Sequence, residues 1–451
     1  MTQTMRRARP SGGYREAVSL AFPVTLSLLS QTLMAAVNIA LLGHFSTVAQ
    51  GAAGLGEALL WPFFLACKCG GVGVNILVAQ CLGAQRRLDC GAITWQGLYI
   101  SVLAWVPMVL VGLWAPALVR LTAPSPELLE PTALYLRIHL LGGLPGLLNF
   151  TLISFFRGLG DTRTPLVVTL GLELLNILLA VGLIFGVAGL PRLGIAGSAL
   201  ATVLATTVGT GIYLGLFLRR GQRAGLLARS WLPFDRQVCR RLVQVSWPVG
   251  VQGAVEMGAW TLFTTFVARL GTVETAAHTV AVQVLAVSYL AGQGVSIAAT
   301  TLVGQYLGAQ NPPAARRSMV SCLVITMLFM GSLGVGFFVW RFPLVRLLTH
   351  DPAVVHLGAQ IMIVVALLQV FDAIGLIAMG VLRGAGDTRW PMLVGLLLNW
   401  GLFVPGAILA VFFWPGGIIG GWSAALCHVI VLGVVMVRRV LRGDWQQRVA
   451  G

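Results

Sequence analysis

Lysine is all but missing from this chain: of its 30 basic residues every one is arginine except Lys68. Charge of either sign is scarce, at 10% of residues against 57% hydrophobic. A soluble domain carries roughly a quarter charged residues, so this chain cannot clothe a water-facing surface. The seven cysteines (Cys67, Cys69, Cys81, Cys90, Cys239, Cys322 and Cys427) are scattered among apolar neighbours. Cys67-Lys68-Cys69 has no second ligand pair, which excludes a zinc site and points to packing. No glycine-rich loop runs on into Lys-Ser or Lys-Thr and no other nucleotide-binding motif appears, so ATP-driven pumping is not expected of this chain. Neither H-E-x-x-H nor G-x-S-x-G occurs, and the chain reads as no enzyme. Alternation of apolar and polar residues is absent too, which rules out an outer-membrane barrel.

What is present is a succession of apolar runs of about twenty residues, the length that spans a bilayer as a helix. Twelve are predicted, at 17–42, 51–82, 92–117, 132–156, 166–186, 194–218, 243–268, 276–307, 319–340, 353–382, 391–412 and 419–437. The net charge of +16 might suggest nucleic acid, but its placement does not. Arg6, Arg7, Arg9 and Arg15 precede the first run, Arg86 and Arg87 follow the second, and Arg157 and Arg163 follow the fourth. Seven arginines lie between Arg219 and Arg241. Arg316 and Arg317, Arg383 and Arg389, then Arg438, Arg439, Arg442 and Arg448 complete the pattern. Every second loop is basic, as cytoplasmic loops are. A multi-pass protein of the inner membrane is expected, with both termini cytoplasmic.

The chain repeats itself. Arg157-Gly158-Leu159-Gly160-Asp161-Thr162-Arg163-Thr164-Pro165 returns as Arg383-Gly384-Ala385-Gly386-Asp387-Thr388-Arg389-Trp390-Pro391, an offset of 383 − 157 = 226. Val78-Ala79-Gln80-Cys81-Leu82-Gly83-Ala84-Gln85 returns as Val303-Gly304-Gln305-Tyr306-Leu307-Gly308-Ala309-Gln310, and Pro23 answers Pro248, both 225 apart. One six-helix unit is used twice. The expected organisation is a bundle over 1–218, a basic cytoplasmic linker over 219–241 and a second bundle over 242–451. Parallel repeats of this kind are one architecture of secondary transporters. The G-x-G-D loops read as structural turns: Gly160 and Gly386 bend the chain, Asp161 and Asp387 cap the next helix, and Arg157 and Arg383 flank them.

These strings, with Gly194-Ile195-Ala196-Gly197 and its counterpart Gly417-Ile418-Ile419-Gly420, resemble the multidrug and toxic compound extrusion (MATE) family. The resemblance runs from about Ala17 to Arg439, and the C-terminal half is similar to the sodium-coupled NorM-type branch. It implies an all-α membrane protein, two pseudo-symmetric six-helix bundles in a V. It further implies a secondary antiporter that exports amphipathic, cationic organic compounds in exchange for Na⁺ or H⁺ by alternating access. The alternative within the same superfamily is a flippase or exporter of lipid-linked or anionic amphiphiles. The expected partners are a small-molecule substrate and membrane lipid, with no nucleic acid, no cofactor beyond the coupling ion, and a monomeric state.

A charge inside a span is costly and marks function by default. Glu256 lies in helix 7, Tyr289 in helix 8 and Asp372 in helix 10, and a Glu, a Tyr and an Asp of the NorM-type branch match them. Two carboxylates and a phenol suit either Na⁺, which seeks oxygen ligands, or H⁺. In the N-terminal half the repeat equivalent of Glu256 is Gln31 (256 − 225 = 31). Asn38 and Ala180 stand where family members carry Asp, so no cation site is expected there. Lys68 and Glu173 are the charges found instead, and Lys68 is expected to face the interior near Asn176 or Glu173. Gln31, Asn38, Lys68, Glu173, Asn176, Met257 and Gln283 are the expected lining of a substrate cavity. Glu57 reads as a hydrated interfacial residue. His139, His278 and His428 read as hydrogen-bonded structure. Met257, Trp260, Phe263, Phe371 and Met379, at helical spacing, read either as lining of a cavity for aromatic cations or as packing.

Overall fold

A computed structural model describes residues 12–122, 125–187, 189–226, 231–413 and 416–446. Arg6, Arg7, Arg9, Arg229 and Arg448, counted above among the cytoplasmic charges, lie outside the described residues. Helices account for the chain, and no strand occurs among the described residues.

In the first half the order is α1 (Tyr14–Phe45), α2 (Thr47–Cys67), α3 (Cys69–Gly83), α4 (Arg87–Leu113), α5 (Ala115–Leu121), α6 (Pro126–Leu141), α7 (Leu144–Gly158), α8 (Arg163–Phe185) and α9 (Ile195–Arg223). The second half runs α10 (Arg236–Ala268), α11 (Thr272–Gly308), α12 (Pro312–Val339), α13 (Arg341–Leu348), α14 (Pro352–Gly384), α15 (Arg389–Leu398), α16 (Val404–Ile408) and α17 (Gly417–Leu441). Among the described residues ten helical stretches are long and apolar enough to cross a membrane, α2 and α3 counting as one, and α6 with α7, bent by 48°, makes an eleventh. At 33 residues α10 is long enough as well, about 50 Å at 1.5 Å per residue. It is less apolar because it carries Gln252, Glu256 and several small residues. With α10 the twelve predicted spans are accounted for.

Local chemistry explains the ends and breaks. Ser46 caps α2, its Oγ accepting from the Ala49 N–H at 3.5 Å. Asn311 and Asp351 cap α12 and α14. Gly160 (φ +79°) and Gly386 (φ +82°) take the left-handed conformation that only glycine adopts without strain. At the first loop Asp161 accepts from the Thr164 N–H and pairs with Arg220 at 3.1 Å. At the second, Asp387 pairs with Arg439 at 3.1 Å. The span after Asp387 is interrupted by π turns over Asn399–Phe403 and Leu409–Phe413, with Pro405 between them.

Contacts group Leu26–Gly250 into one unit, and Val251–Gly451 with the stretch up to Thr25 into another. Each unit therefore takes in part of α1 and part of α10, a division unlike that at the linker. In the unit containing Val251–Gly451, Thr25 sits against Gly294, where a Cβ would meet its backbone N at 2.9 Å. In the unit Leu26–Gly250, a Cβ on Gly73 of α3 would strike Ser246 and Leu242 of α10. The changeover falls just after Pro23 in α1 and just after Pro248 in α10, prolines that interrupt the helical hydrogen-bond ladder.

Candidate functional site

In the unit holding Val251–Gly451, the site is set by how closely α11 and α14 approach. A Cβ on Gly380 would lie 2.6 Å from the Ser296 carbonyl oxygen, and one on Gly384 2.6 Å from that of Thr300. Ser296 Oγ donates to the Leu376 carbonyl at 2.7 Å and Thr300 Oγ1 to that of Gly380 at 2.9 Å. Small residues and interhelical hydroxyl bonds are what hold helices together in lipid. The register pairs 296 with 376 and 300 with 380. Continued one turn back, it sets Asp372 level with Gly292, beside Tyr289 and Gln293.

Helix α10 completes the cluster. Gln252 is buried; its Nε2 donates to Met379 Sδ at 3.0 Å and its Oε1 accepts from Arg383 Nη2 at 3.1 Å. Glu256 lies one turn further along the same face. Tyr289 lies within electrostatic reach of Glu256, Asp372 and Arg383, Asp372 within reach of Glu256, and Glu256 within reach of Arg383. Gln293 Nε2 donates to Tyr289 Oη at 2.7 Å. Among the described residues neither Glu256 nor Asp372 makes a hydrogen bond or an ion pair within 4.0 Å. The structure thus brings Glu256, Tyr289 and Asp372 together, all half-buried. Two carboxylate groups, a phenol and amide oxygens form a hard-oxygen donor set with unused capacity.

Met257 and Gln283 are exposed rather than drawn into this cluster. Trp260 and Phe263 pack with Phe403 and Trp422 into an aromatic core, and His278 bonds Thr264 at 3.0 Å. His428 stacks on Phe403.

The unit Leu26–Gly250 is built differently. Glu173 is buried and accepts from Ser30 Oγ at 3.0 Å. Asn176 Nδ2 donates to Thr202 Oγ1 at 3.0 Å, while its buried Oδ1 has no partner among the described residues. The Oδ1 of Asn38 is in the same position, and Gln31 is exposed. Ala180 is fully buried in an apolar cluster with Leu183 and Ile184. Glu57 accepts from Tyr135 Oη at 2.9 Å, a protein partner that its reading as a hydrated interfacial residue did not foresee.

Lys68 departs from expectation. It makes no ion pair with Glu173; its Nζ lies 4.8 Å from the centre of the Trp61 ring, 5.1 Å from Phe150 and 5.2 Å from Phe64. Three rings replace the carboxylate because their negative faces also attract an ammonium. Phe64 is seated over Gly146 and Phe150 over Gly71, so two walls of this cage are fixed by glycines. Buried Arg157 has no acceptor for its Nε among the described residues, and Arg383 belongs to the carboxylate cluster as much as to its loop.

Gln252, Gln293 and Ser30 were not foreseen as site residues. Two signals existed: Gln293 is one turn from Tyr289, and it is the repeat partner of Lys68 (293 − 225 = 68).

A model of the MatE family matches residues 23–181 and 248–409. The chain belongs to the MatE family. It is 31% identical over 444 residues to the multidrug resistance protein NorM of Burkholderia vietnamiensis, covering 95% of each chain. To a probable multidrug resistance protein NorM of Thermotoga maritima it is 27% identical, with 96% of this chain and 93% of the relative covered. Its fold matches a crystal structure of MATE in the bent conformation, with a TM-score of 0.88, 18% identity and 96% of each chain covered. This MatE chain is thus a multi-pass, all-α transporter of the multidrug efflux type.

Proposed function

We propose that this transporter is a secondary antiporter that exports small amphipathic, cationic organic compounds in exchange for Na⁺ or H⁺ by alternating access. It works as a monomer in the inner membrane with both termini cytoplasmic. Glu256 and Asp372 bind the coupling ion with Tyr289. One observation carries this: two carboxylates lie in one cluster at membrane depth without a hydrogen-bonding or ion-pairing partner among the described residues. Carboxylates within a span cost several kcal/mol each and persist where they have work to do. Gln31, Asn38, Lys68, Glu173, Asn176, Met257 and Gln283 remain the proposed substrate contacts. Glu256→Gln and Asp372→Asn in proteoliposomes with imposed Na⁺ or H⁺ gradients should each lower gradient-driven transport at least tenfold. Substrate binding should fall far less. Unchanged transport in both variants would refute the coupling role.

The second reading, export or flipping of anionic amphiphiles, is favoured by Lys68, a cation within a span that forms no ion pair among the described residues. The same vesicles test it by comparing uptake of an aromatic cation with that of an aromatic carboxylate of equal size.

A further inference from the structure

Along the seam between α14 and α17 a groove of about 550 Å³ opens. Phe371 and Ile374 of α14 and Val434 and Val437 of α17 line its apolar length, and Arg438 and Arg442 stand at one end. Gly433 forms its floor; a Cβ there would lie 3.4 Å from the Phe371 carbonyl oxygen.

Arg438 and Arg442 are four residues apart, hence on one helix face, where like charges repel. Both are exposed, and among the described residues neither forms an ion pair. Arg439 between them, on another face, is paired twice, with Asp387 and with Asp444. Topology and the helix dipole explain arginine at this end of α17. They do not explain two unpaired arginines converging on the mouth of an apolar groove. A ligand that answers both features carries a negative head and an apolar tail. From Gly433 to Arg442 the helix advances about 13 Å, close to one leaflet of a bilayer core about 30 Å thick.

We propose that this groove is a binding site for an anionic glycerophospholipid, its phosphate held between Arg438 and Arg442 and one acyl chain lying against Phe371, Ile374 and Val434. Basic pockets beside transmembrane helices select anionic head groups in this way. Phe371 precedes Asp372, so the bound chain touches the helical turn that presents that carboxylate, and anionic lipid thereby tunes the ion site. Only this last consequence rests on the coupling role given to Asp372; the binding does not.

The test is lipid binding to the purified full chain in non-ionic detergent, measured by native mass spectrometry. Dioleoylphosphatidylglycerol should bind more tightly than dioleoylphosphatidylcholine by about thirtyfold, the worth of two basic contacts. Arg438→Gln/Arg442→Gln should erase that preference, while the control Arg316→Gln/Arg317→Gln should retain it. Gly433→Leu, which fills the groove and leaves the arginines, should weaken both lipids. Equal binding of the two lipids to the unaltered chain would overturn the proposal, as would an equal loss in the control. Displacement of phosphatidylglycerol by millimolar inorganic phosphate would reduce the site to one for free anions and also overturn it. If binding behaves as stated but transport in phosphatidylglycerol and phosphatidylcholine vesicles is the same, the site stands and its link to Asp372 falls.

Discussion

Lys68 shows how much a single side chain's surroundings decide. A buried charge that loses its partner costs 3–5 kcal/mol, and pairing with Glu173 would make Lys68→Met severely destabilising. Glu173 is instead satisfied by Ser30, and Lys68 is held by three rings. Removing the ammonium forfeits cation–π attraction of about 2 kcal/mol but also ends the cost of keeping a charge out of water. Lys68→Met should therefore change stability by less than about 1.5 kcal/mol, read as a small shift of the thermal unfolding midpoint in detergent. A loss of folded protein would show that an acidic partner had been missed. The carboxylates were legible because a span tolerates so few charges that each stands out. Gln252, Gln293 and Ser30 were not, because neutral polar residues are common in helices and only packing shows which of them meet.

At the scale of elements, α11 and α14 form the frame on which the proposed ion site rests. Their approach is limited by Gly380 and Gly384, and any side chain there forces the helices apart. Gly384→Val should destabilise the protein by about 1–3 kcal/mol, the usual cost of overpacking. It should also lower transport, because it displaces the pair that presents Tyr289 and Asp372. Unaltered unfolding and transport would show that the seam yields freely. The weak hydropathy of α10 has the same origin as its importance, since Gln252 and Glu256 face protein rather than lipid. The break of α2 from α3 at Lys68 and the π turns around Pro405 were not readable, because long apolar runs look alike whether straight or interrupted.

For the whole molecule, the repeat and the alternation of basic loops support the proposed orientation, in which the linker between the halves faces the cytoplasm. With native cysteines replaced, Gln222→Cys should react with a membrane-impermeant maleimide only from the cytoplasmic face, and His350→Cys only from outside. The opposite pattern would invert the proposed orientation. The repeat in the sequence suggests halves at 1–218 and 242–451. The contact units cut α1 after Thr25 and α10 after Gly250 instead. A repeat in sequence records duplication, whereas contacts record which surfaces each helix buries, and a helix over 30 residues long can bury its ends in different places.

Composition alone determined that the chain lives in a membrane, because 10% charge cannot cover a soluble surface. The apolar runs gave the helix count, the repeated motifs pointed to the family, and the rarity of charge in the spans picked out Glu256, Asp372 and Lys68. Tertiary structure decided what each of those charges meets. It set Glu256 near Asp372 and Tyr289, turned Lys68 from a carboxylate to a cage of rings, and left Arg438 and Arg442 without an ion-pair partner among the described residues, at the mouth of a groove. The reason is physical: hydrophobicity is a property of residues summed along the chain, but pairing depends on distances that only packed helices set.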